Sequence, residues 1–389
     1  MNNKLKNEVL PNTTFEGISL EGKTKKEVKQ LIHNKIIELK SKKMIIPLPN
    51  VKREFSYDDI GIVYKDETIV DQIFASQQKQ GQWERIQLQK AAKKGERKKS
   101  YSLTQCIDPE KFNQFVDKKL NDYVIAPVNA TVKLSADGTK FDVTASKNGK
   151  RVNKVQLSGI LLNSLKNKNE PITIPVDEVQ PKLTTEMANK LDINHIMKEY
   201  KTSLADPNSN SATNVKIAAS KLNGTLLAPG EEFSYKKTLG RANAENGYKE
   251  STVFSNGTVL KGFGGGICQV VSTLYDAAMY ADLTITARTN HSRRVKYVPI
   301  GLDATVDDDG PDLRFKNSYN QYIYIQSIVE NGELVIRIYG KPMTKEVILT
   351  STIDKETEQY IYASSYRTVK QNGTVIVDNQ FIAKSRYHK

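Results

Sequence analysis

Two hydrophobic periodicities run through this chain, and each predicts a different type of element. Apolar residues three and four positions apart within residues 22–41 predict an amphipathic helix, which Thr24 and Glu27 begin as a capping box. Another helix is predicted to begin at Pro109, because Asp108 is a good N-cap and proline is favoured in the first turn. The segment 184–200 is also predicted to be helical.

Alternating apolar and polar residues predict strands in three further regions, each containing a turn dipeptide. Residues 128–146 alternate around Asp137-Gly138, and residues 319–340 alternate around Asn331-Gly332. The tail, residues 344–389, is predicted to be β-rich and carries an Asn-Gly turn at Asn372. Together the two periodicities predict an α+β fold with antiparallel hairpins in its second half.

The length of 389 residues exceeds what one compact core usually holds, so several domains are expected. We predict one or two small α+β lobes over residues 12–181, a helix and linker over 182–213, a mixed α/β domain that carries the chemistry over 214–343, and the β-rich tail over 344–389. The apolar content of 38% and the charged content of 26% are typical of soluble globular proteins rather than disordered ones.

The formal net charge of +14 indicates an anionic partner or surrounding. The 58 Lys and Arg residues are spread along the chain, and no zinc-finger, RNP or helix-turn-helix motif accompanies them. Nucleic acid is therefore not the expected partner. A polyanionic cell envelope would explain the positive charge equally well. No apolar run reaches the length of a signal peptide or a membrane span, so the chain as given is expected to be soluble.

The two cysteines, Cys106 and Cys268, are far apart and lack CxxC spacing, so neither a disulfide framework nor a zinc site is predicted. No metal or other cofactor is expected. Cys106 directly precedes a helix N-cap and is interpreted as a packing residue. His195 is interpreted as structural or exposed, and His388, in the terminal tail, as disordered or exposed.

Cys268 follows three consecutive glycines in the stretch GFGGGICQVVSTLYDAAMYAD, residues 262–282. This stretch has the spacing of neither a phosphate loop nor a dinucleotide fingerprint, which disfavours a nucleotide. One interpretation is a tight bend followed by a buried structural cysteine. The other is a nucleophile in the first turn of a helix that begins at Ile267, where the helix dipole stabilises a thiolate. Gly265 and Gly266 would then admit a substrate, and the amides of Ile267, Cys268 and Gln269 would bind an oxyanion.

A thiolate nucleophile needs a base, and His291 is the candidate. A helix of about 13 residues travels roughly 20 Å, and the β-branched run 283–289 would return about 23 Å, which brings His291 back to Cys268. Asp303 is the candidate third group that orients the imidazole, ahead of the acidic run 307–309, which is interpreted as a solvated loop.

Three more residues are candidates for substrate binding. Arg293 and Arg294 have the geometry to hold a substrate carboxylate by bidentate pairing, although one of them could be a plain surface charge. Tyr297 either lines the pocket or packs.

At these residues the sequence resembles the VanW family. The resemblance covers residues 214–341 and includes NVKIAASKLNGTLLAPGEEFSY, GRANAENGY, GGGICQVVSTLYDAA, RTNHSRRVKYVPIGLDATV and ELVIRIYG. Residues 14–181, with FEGISLEGKTKKEV and REFSYDDIGIVY, resemble the peptidoglycan-binding module that often precedes such domains. The family takes its name from a glycopeptide-resistance cluster. The resemblance implies an extracytoplasmic protein of a Gram-positive bacterium, associated with the cell wall or membrane, and an anchor of the usual kind is not present in this sequence.

Some clostridial members of the family are L,D-transpeptidases, and the resemblance gives the nucleophile role to Cys268. The expected function is therefore a cysteine L,D-transpeptidase that forms 3-3 cross-links through a thioester. Its partners would be peptidoglycan stem peptides and, given the charge, anionic wall polymers or a membrane surface. The alternatives are a non-catalytic wall-binding accessory protein and a cysteine L,D-carboxypeptidase, amidase or endopeptidase acting on the same polymer.

Overall fold

The computed structural model describes residues 7–66, 68–78, 81–167, 171–255 and 258–389. Its helices are α1 (Lys25–Ser41), α2 (Tyr57–Ile60), α3 (Ile69–Gln78), α4 (Gln82–Lys93), α5 (Pro109–Lys119), α6 (Lys154–Lys166), α7 (Thr185–Asn189), α8 (Asn210–Leu222), α9 (Tyr235–Leu239) and α10 (Ile267–Tyr280). Its strands up to residue 203 are β1 (Thr13–Phe15), β2 (Ile18–Ser19), β3 (Lys43–Leu48), β4 (Val51–Ser56), β5 (Ile62–Lys65), β6 (Lys99–Tyr101), β7 (Thr104–Ile107), β8 (Thr131–Leu134), β9 (Phe141–Thr144), β10 (Gly149–Val152), β11 (Val176–Val179) and β12 (His195–Ser203).

The later strands belong to the part of the chain that carries the candidate chemistry. They are β13 (Thr225–Leu227), β14 (Glu232–Ser234), β15 (Glu250–Ser255), β16 (Thr258–Phe263), β17 (Thr284–Ala287), β18 (Arg314–Lys316), β19 (Ile323–Glu330), β20 (Glu333–Gly340), β21 (Lys345–Glu356), β22 (Tyr360–Gln371) and β23 (Thr374–His388). The fold is mixed, with 29% helix and 37% strand, which confirms the predicted α+β, multi-domain class.

The chain forms two compact units. The first comprises Met1–Val128 and Lys147–Lys182, and the second comprises Asn129–Ser146 and Leu183–Lys389. The hairpin of β8 and β9, which the sequence placed among the N-terminal lobes, thus belongs to the second unit, where Leu134 and Phe141 pack with Tyr324.

The first unit packs α1 and α5 over short strand pairs. The side chain of Thr24 accepts a hydrogen bond from the Glu27 amide, and the Glu27 carboxylate accepts one from the Thr24 amide, which is the predicted capping box. Asp108 caps α5 by accepting from the amides of Glu110 and Lys111, with proline at the first helical position as predicted. Both helices bury their apolar stripe in one core.

The second unit is built on the antiparallel sheet β12-β20-β19-β13. Its central hairpin turns at Asn331 and Gly332, with φ of 50° and 75°, which is the predicted two-residue turn. Helices α8 and α10 pack against this sheet. Helix α10 is buried around most of its circumference, so it lies inside the core rather than on its surface.

The prediction of a helix over 184–200 is wrong beyond Asn189. Helix α7 ends at Asn189, and strand β12 then pairs with β20 from His195 opposite Gly340 to Ser203 opposite Glu333. The apolar residues of this segment suit a helix locally, but pairing with a central strand overrides that preference. His195 lies exposed at the start of the strand.

The second unit also contains the hairpins β8-β9 and β15-β16 and two three-stranded sheets. Strands β14, β18 and β17 form one, and the tail forms the other from β21, β22 and β23, with the predicted turn at Asn372 and Gly373. Across the described residues, no helix combines the length and the apolar character needed to span a membrane.

Candidate active site

The glycine cluster forms the turn that leads into α10. Gly264 and Gly266 have φ of 88° and 102°, a conformation that favours glycine. Helix α10 begins at Ile267, as predicted, so Cys268 lies in its first turn. A thiol in this position experiences the positive end of the helix dipole.

The glycines are required by the protein's own backbone. A Cβ atom on Gly265 would lie 2.2 Å from the carbonyl oxygen of Thr252, and one on Gly266 would lie 2.6 Å from that of Ser211. No side chain fits at either distance. These glycines therefore pack closely against β15 and the start of α8, and their expected role in admitting a substrate stays a prediction.

Asn214 fixes this turn from α8, and the sequence analysis missed it. Its fully buried amide nitrogen donates to the carbonyl oxygens of Gly265 (3.0 Å) and Lys249 (2.9 Å), and its oxygen accepts from the Lys249 amide (2.7 Å). The available signal was a polar residue next to the apolar positions of this segment, since a buried polar group needs such partners.

The predicted oxyanion donors are partly engaged elsewhere. The Ile267 amide donates to the Gly264 carbonyl and the Gln269 amide to the Gly266 carbonyl, each at 3.0 Å. The Gln269 side chain donates to Thr202 Oγ1 at 2.9 Å, so it anchors α10 to β12. Among the described residues, the Cys268 amide donates no hydrogen bond, which leaves it as the backbone donor of the predicted set.

The structure brings Cys268, His291 and Asp303 together. His291 Nδ1 lies 2.7 Å from Asp303 Oδ2, and the His291 amide donates to the same oxygen at 2.7 Å. Cys268 Sγ lies 3.4 Å from Thr305 Oγ1. His291 and Asp303 are 8% and 1% exposed, so water screens their interaction little.

The electrostatics of this group favour a thiolate beside an imidazolium. Burial alone would raise the pKa of the Cys268 thiol, but its interactions with His291 lower that pKa below its ordinary value. Burial opposes the charged imidazole, whereas Asp303 and Cys268 favour it, and the pKa of His291 rises to about 9. Burial likewise opposes the Asp303 carboxylate, but His291 and Arg288 lower its pKa.

The His291 ring lies close to the Cys268 thiol. His291 Nε2 is buried and forms no hydrogen bond of normal geometry with any residue in the described ranges. The Cys268 side chain is nevertheless close enough to raise the pKa of the ring. Such loose contacts are common in active sites without substrate. Nε2 is therefore placed to exchange a proton with the thiol and with a substrate atom bound beside it.

The role of the two predicted arginines in substrate binding stays a prediction. Arg293 and Arg294 are both exposed. The arginine at the site is Arg288, which the sequence analysis did not single out and which donates from Nη2 to Asp303 Oδ1 at 3.3 Å. The sequence signal for Arg288 was a single cation among the β-branched residues 283–289. A cation in a buried segment needs a partner.

Tyr297 does lie at the site. Its ring meets that of His291 edge to face, with centroids 6.5 Å apart. Burial raises the pKa of the Tyr297 hydroxyl well above its usual range, and the charge of Cys268 adds to this. Tyr235, which was not predicted, is similar: burial and then the charges of Tyr248 and Cys268 raise the pKa of its hydroxyl.

In the described part of the chain, no group of three or more His, Cys, Asp or Glu is arranged to hold a metal ion.

A buried carboxyl, Asp276, lies two turns beyond Cys268 on α10. It is fully buried, and neither of its oxygens forms a hydrogen bond of normal geometry with a described residue. Burial raises its pKa well above the ordinary value, and Tyr200 and Arg288 offset only part of this effect. The carboxyl is therefore neutral over a pH range in which an exposed carboxyl is ionised.

We expect Asp276→Asn to stabilise the protein at pH 7.5. A folded state that keeps this proton loses stability as the pH rises above the ordinary carboxyl pKa, and an amide removes that loss. The melting temperature should rise by about 2–4 °C at pH 7.5 and by less at pH 4.5, as measured by differential scanning calorimetry. Asp378→Asn, at an exposed position on β23, is the control and should change neither value. A lower melting temperature at pH 7.5 would show that Asp276 is ionised and paired.

Comparison with known proteins places two family matches on the chain. Residues 210–339 match the family described as "VanW like protein", and residues 54–173 match "Putative peptidoglycan binding domain". The "Uncharacterized protein YoaR" of Bacillus subtilis is 36% identical over 169 residues, which cover 43% of this chain and 55% of that protein. The "Vancomycin B-type resistance protein VanW" of Enterococcus faecalis is 29% identical over 177 residues, 42% of this chain and 64% of that protein. The chain thus spans less than two thirds of either relative, and no solved structure matches it significantly.

Proposed function

This chain carries a VanW domain preceded by a peptidoglycan-binding domain, and from that premise we propose that it is a cysteine L,D-transpeptidase of peptidoglycan. The observation that carries the proposal is the buried pair of His291 and Asp303 beside Cys268 at the start of α10. A lowered thiol pKa, an imidazole held by a carboxylate and a helix amide without an internal partner together suit acyl transfer.

In the first step the Cys268 thiolate attacks the carbonyl carbon that follows the third stem residue, a diamino acid. The carbonyl oxygen becomes an oxyanion, which the Cys268 amide is placed to bind. His291 gives its Nε2 proton to the departing amine, and the C–N bond breaks to release the terminal D-alanine. The product is a thioester on Cys268 and a neutral His291 that still donates from Nδ1 to Asp303.

In the second step a side-chain amine of a neighbouring stem attacks the thioester carbon. His291 Nε2 takes the proton that this amine loses, and the C–S bond breaks to return the thiolate. The new amide is a 3-3 cross-link. If water replaces the amine, the same steps give a carboxypeptidase and a tripeptide stem. The burial of His291 favours the amine, because it limits the access of water to the base.

The charge distribution supports attachment to the wall through the first unit. Lys and Arg outnumber Asp and Glu by 31 to 20 in that unit, and by only 27 to 24 in the second. The excess of cations therefore lies in the unit that contains most of the peptidoglycan-binding match. Stem carboxylates and anionic wall polymers are the partners that such a surface attracts.

The test is incubation of the protein with purified disaccharide-tetrapeptide, followed by intact-mass and muropeptide analysis. An acyl adduct with loss of D-alanine and the appearance of 3-3 dimers would support the proposal. Tripeptide without dimers would instead assign a carboxypeptidase. Binding to purified sacculi without adduct or turnover would overturn the catalytic proposal in favour of a wall-binding accessory protein.

A further inference from the structure

The Asp303 carboxylate is held on both oxygens, and the second oxygen is held from the end of the chain. Oδ2 accepts from the amide and the ring of His291. Oδ1 accepts from Arg288 Nη2 and from the hydroxyl of Tyr387, which lies on β23 and is 1% exposed. A residue 84 positions downstream thus completes the partners of this carboxylate.

The direction of the Tyr387 hydrogen bond follows from its other partner. The Gly301 amide donates to the Tyr387 oxygen at 2.9 Å, so this oxygen acts there as an acceptor. The hydroxyl hydrogen is then directed to Asp303 Oδ1, because a carboxylate can only accept. Tyr387 therefore ties the loop at Gly301 to the carboxylate two residues later.

The same strand also holds Arg288. Ser385 Oγ accepts from Arg288 Nη1 at 3.0 Å, and Arg288 Nε donates to the Asp303 carbonyl at 2.7 Å. Ser385 and Tyr387 are two residues apart, so both point to the same face of β23. This face and the neighbouring strands lie close to the loop at Gly301, where an added Cβ would be 3.5 Å from that of Ser351.

The strand that provides these contacts lies outside the matched domain. The VanW match ends at residue 339, whereas the sheet β21-β22-β23 covers Lys345–His388. The sheet therefore contributes to the candidate site, because its last strand supplies hydrogen-bond partners to the buried carboxylate that orients His291. Without the Tyr387 hydroxyl, Oδ1 would keep only the longer contact with Arg288.

We propose that the C-terminal sheet is part of the catalytic unit and that Tyr387 is a positioning residue, which keeps the Asp303 carboxylate aligned with His291 Nδ1. This inference rests on the proposed function and deepens it. Tyr387 acts through Asp303 and His291 and does not touch the thiol or the substrate. The other titratable groups whose charges act with that of Asp303 are Arg288, His291, Tyr275, Asp276 and Tyr297.

The test uses the rate at which iodoacetamide alkylates Cys268 between pH 5.5 and 9.5, in the full chain with Cys106→Ser. Tyr387→Phe keeps the ring and removes only the hydroxyl. Weaker support of the imidazolium should raise the pH at which the thiolate forms. We expect the rate at pH 6.5, relative to the rate at pH 9.5, to fall by about threefold to tenfold. Tyr362→Phe, at a half-buried position on β22, is the matched control and should leave the profile unchanged.

An unchanged profile in a Tyr387→Phe variant that melts at the wild-type temperature would overturn the inference. If that variant fails to fold, Ser385→Ala decides, since it removes a hydroxyl that contacts Arg288 and Tyr387 and should shift the profile in the same direction by a smaller factor. If Ser385→Ala then showed the same pH profile of alkylation as the wild type, the inference would be overturned. The readout needs no peptidoglycan substrate. A shifted profile in a protein that makes no cross-links would refute the transpeptidase and leave the positioning role standing.

Discussion

Replacement of Cys268 by alanine is expected to abolish 3-3 dimer formation, with a fall of at least about 10⁴-fold in turnover. The thiolate forms the covalent bond of the acyl-enzyme, and no neighbouring group can take over that bond. Thr305 Oγ1 is 3.4 Å from the sulfur, but its alcohol is a far weaker nucleophile near neutral pH. The measurement is muropeptide analysis together with intact mass, in which the acyl adduct should be absent from the variant.

The matched control for this prediction is Cys106→Ser, at the other cysteine of the chain. Cys106 lies on β7 in the first unit, so this variant should retain cross-linking. Iodoacetamide offers an independent check: Cys268 should be alkylated well below pH 8, because its interactions with His291 lower the pKa of its thiol. Dimers formed by Cys268→Ala at the wild-type rate would refute the nucleophile assignment.

The centre of the candidate site could be predicted because it depends on local signals and on simple reach. The glycines before Ile267 predict a helix start, and the length of that helix together with the return of the following segment places His291 at its beginning. Strand β17 is shorter than the predicted run and covers only Thr284–Ala287. The direction of the chain was nevertheless sufficient, since His291 lies close enough to the Cys268 thiol to lower the pKa of that thiol.

The surrounding support could not be predicted, because it consists of contacts between residues distant in sequence. Tyr387 and Asp303 are 84 positions apart, and Asn214 and Gly265 are 51 apart. No periodicity or motif in either segment specifies such a partner. The close packing around the glycines could not be predicted for the same reason: the turn signal is local, but the backbone of Thr252 that excludes a side chain at Gly265 is not.

Asp303→Asn should have the second largest effect, a fall of about 10²–10⁴-fold in turnover with little change in substrate binding. The amide carries no charge to stabilise the imidazolium, so the pKa of His291 should fall from about 9 toward its ordinary value. An amide that turns its NH₂ group toward Nδ1 would also favour the wrong tautomer of the ring. The pH profile of turnover should therefore lose its alkaline side at a lower pH than in the wild type.

The stability of the same variant gives a second measurement, whose sign follows from the two pKa shifts. The pKa of Asp303 is lowered, so its contribution is present above its ordinary value of 3.8 and is lost as the pH falls through the folded value. The pKa of His291 is raised, so its contribution is complete below 6.5 and is lost as the pH rises through about 9. The difference in melting temperature between wild type and Asp303→Asn should consequently be largest between about pH 4 and 6.5. The exposed Asp378→Asn should show no such window. A difference in melting temperature that is independent of pH would mean that Asp303 acts through packing. A wild-type pH profile of turnover in Asp303→Asn would show that Asp303 is not part of the site.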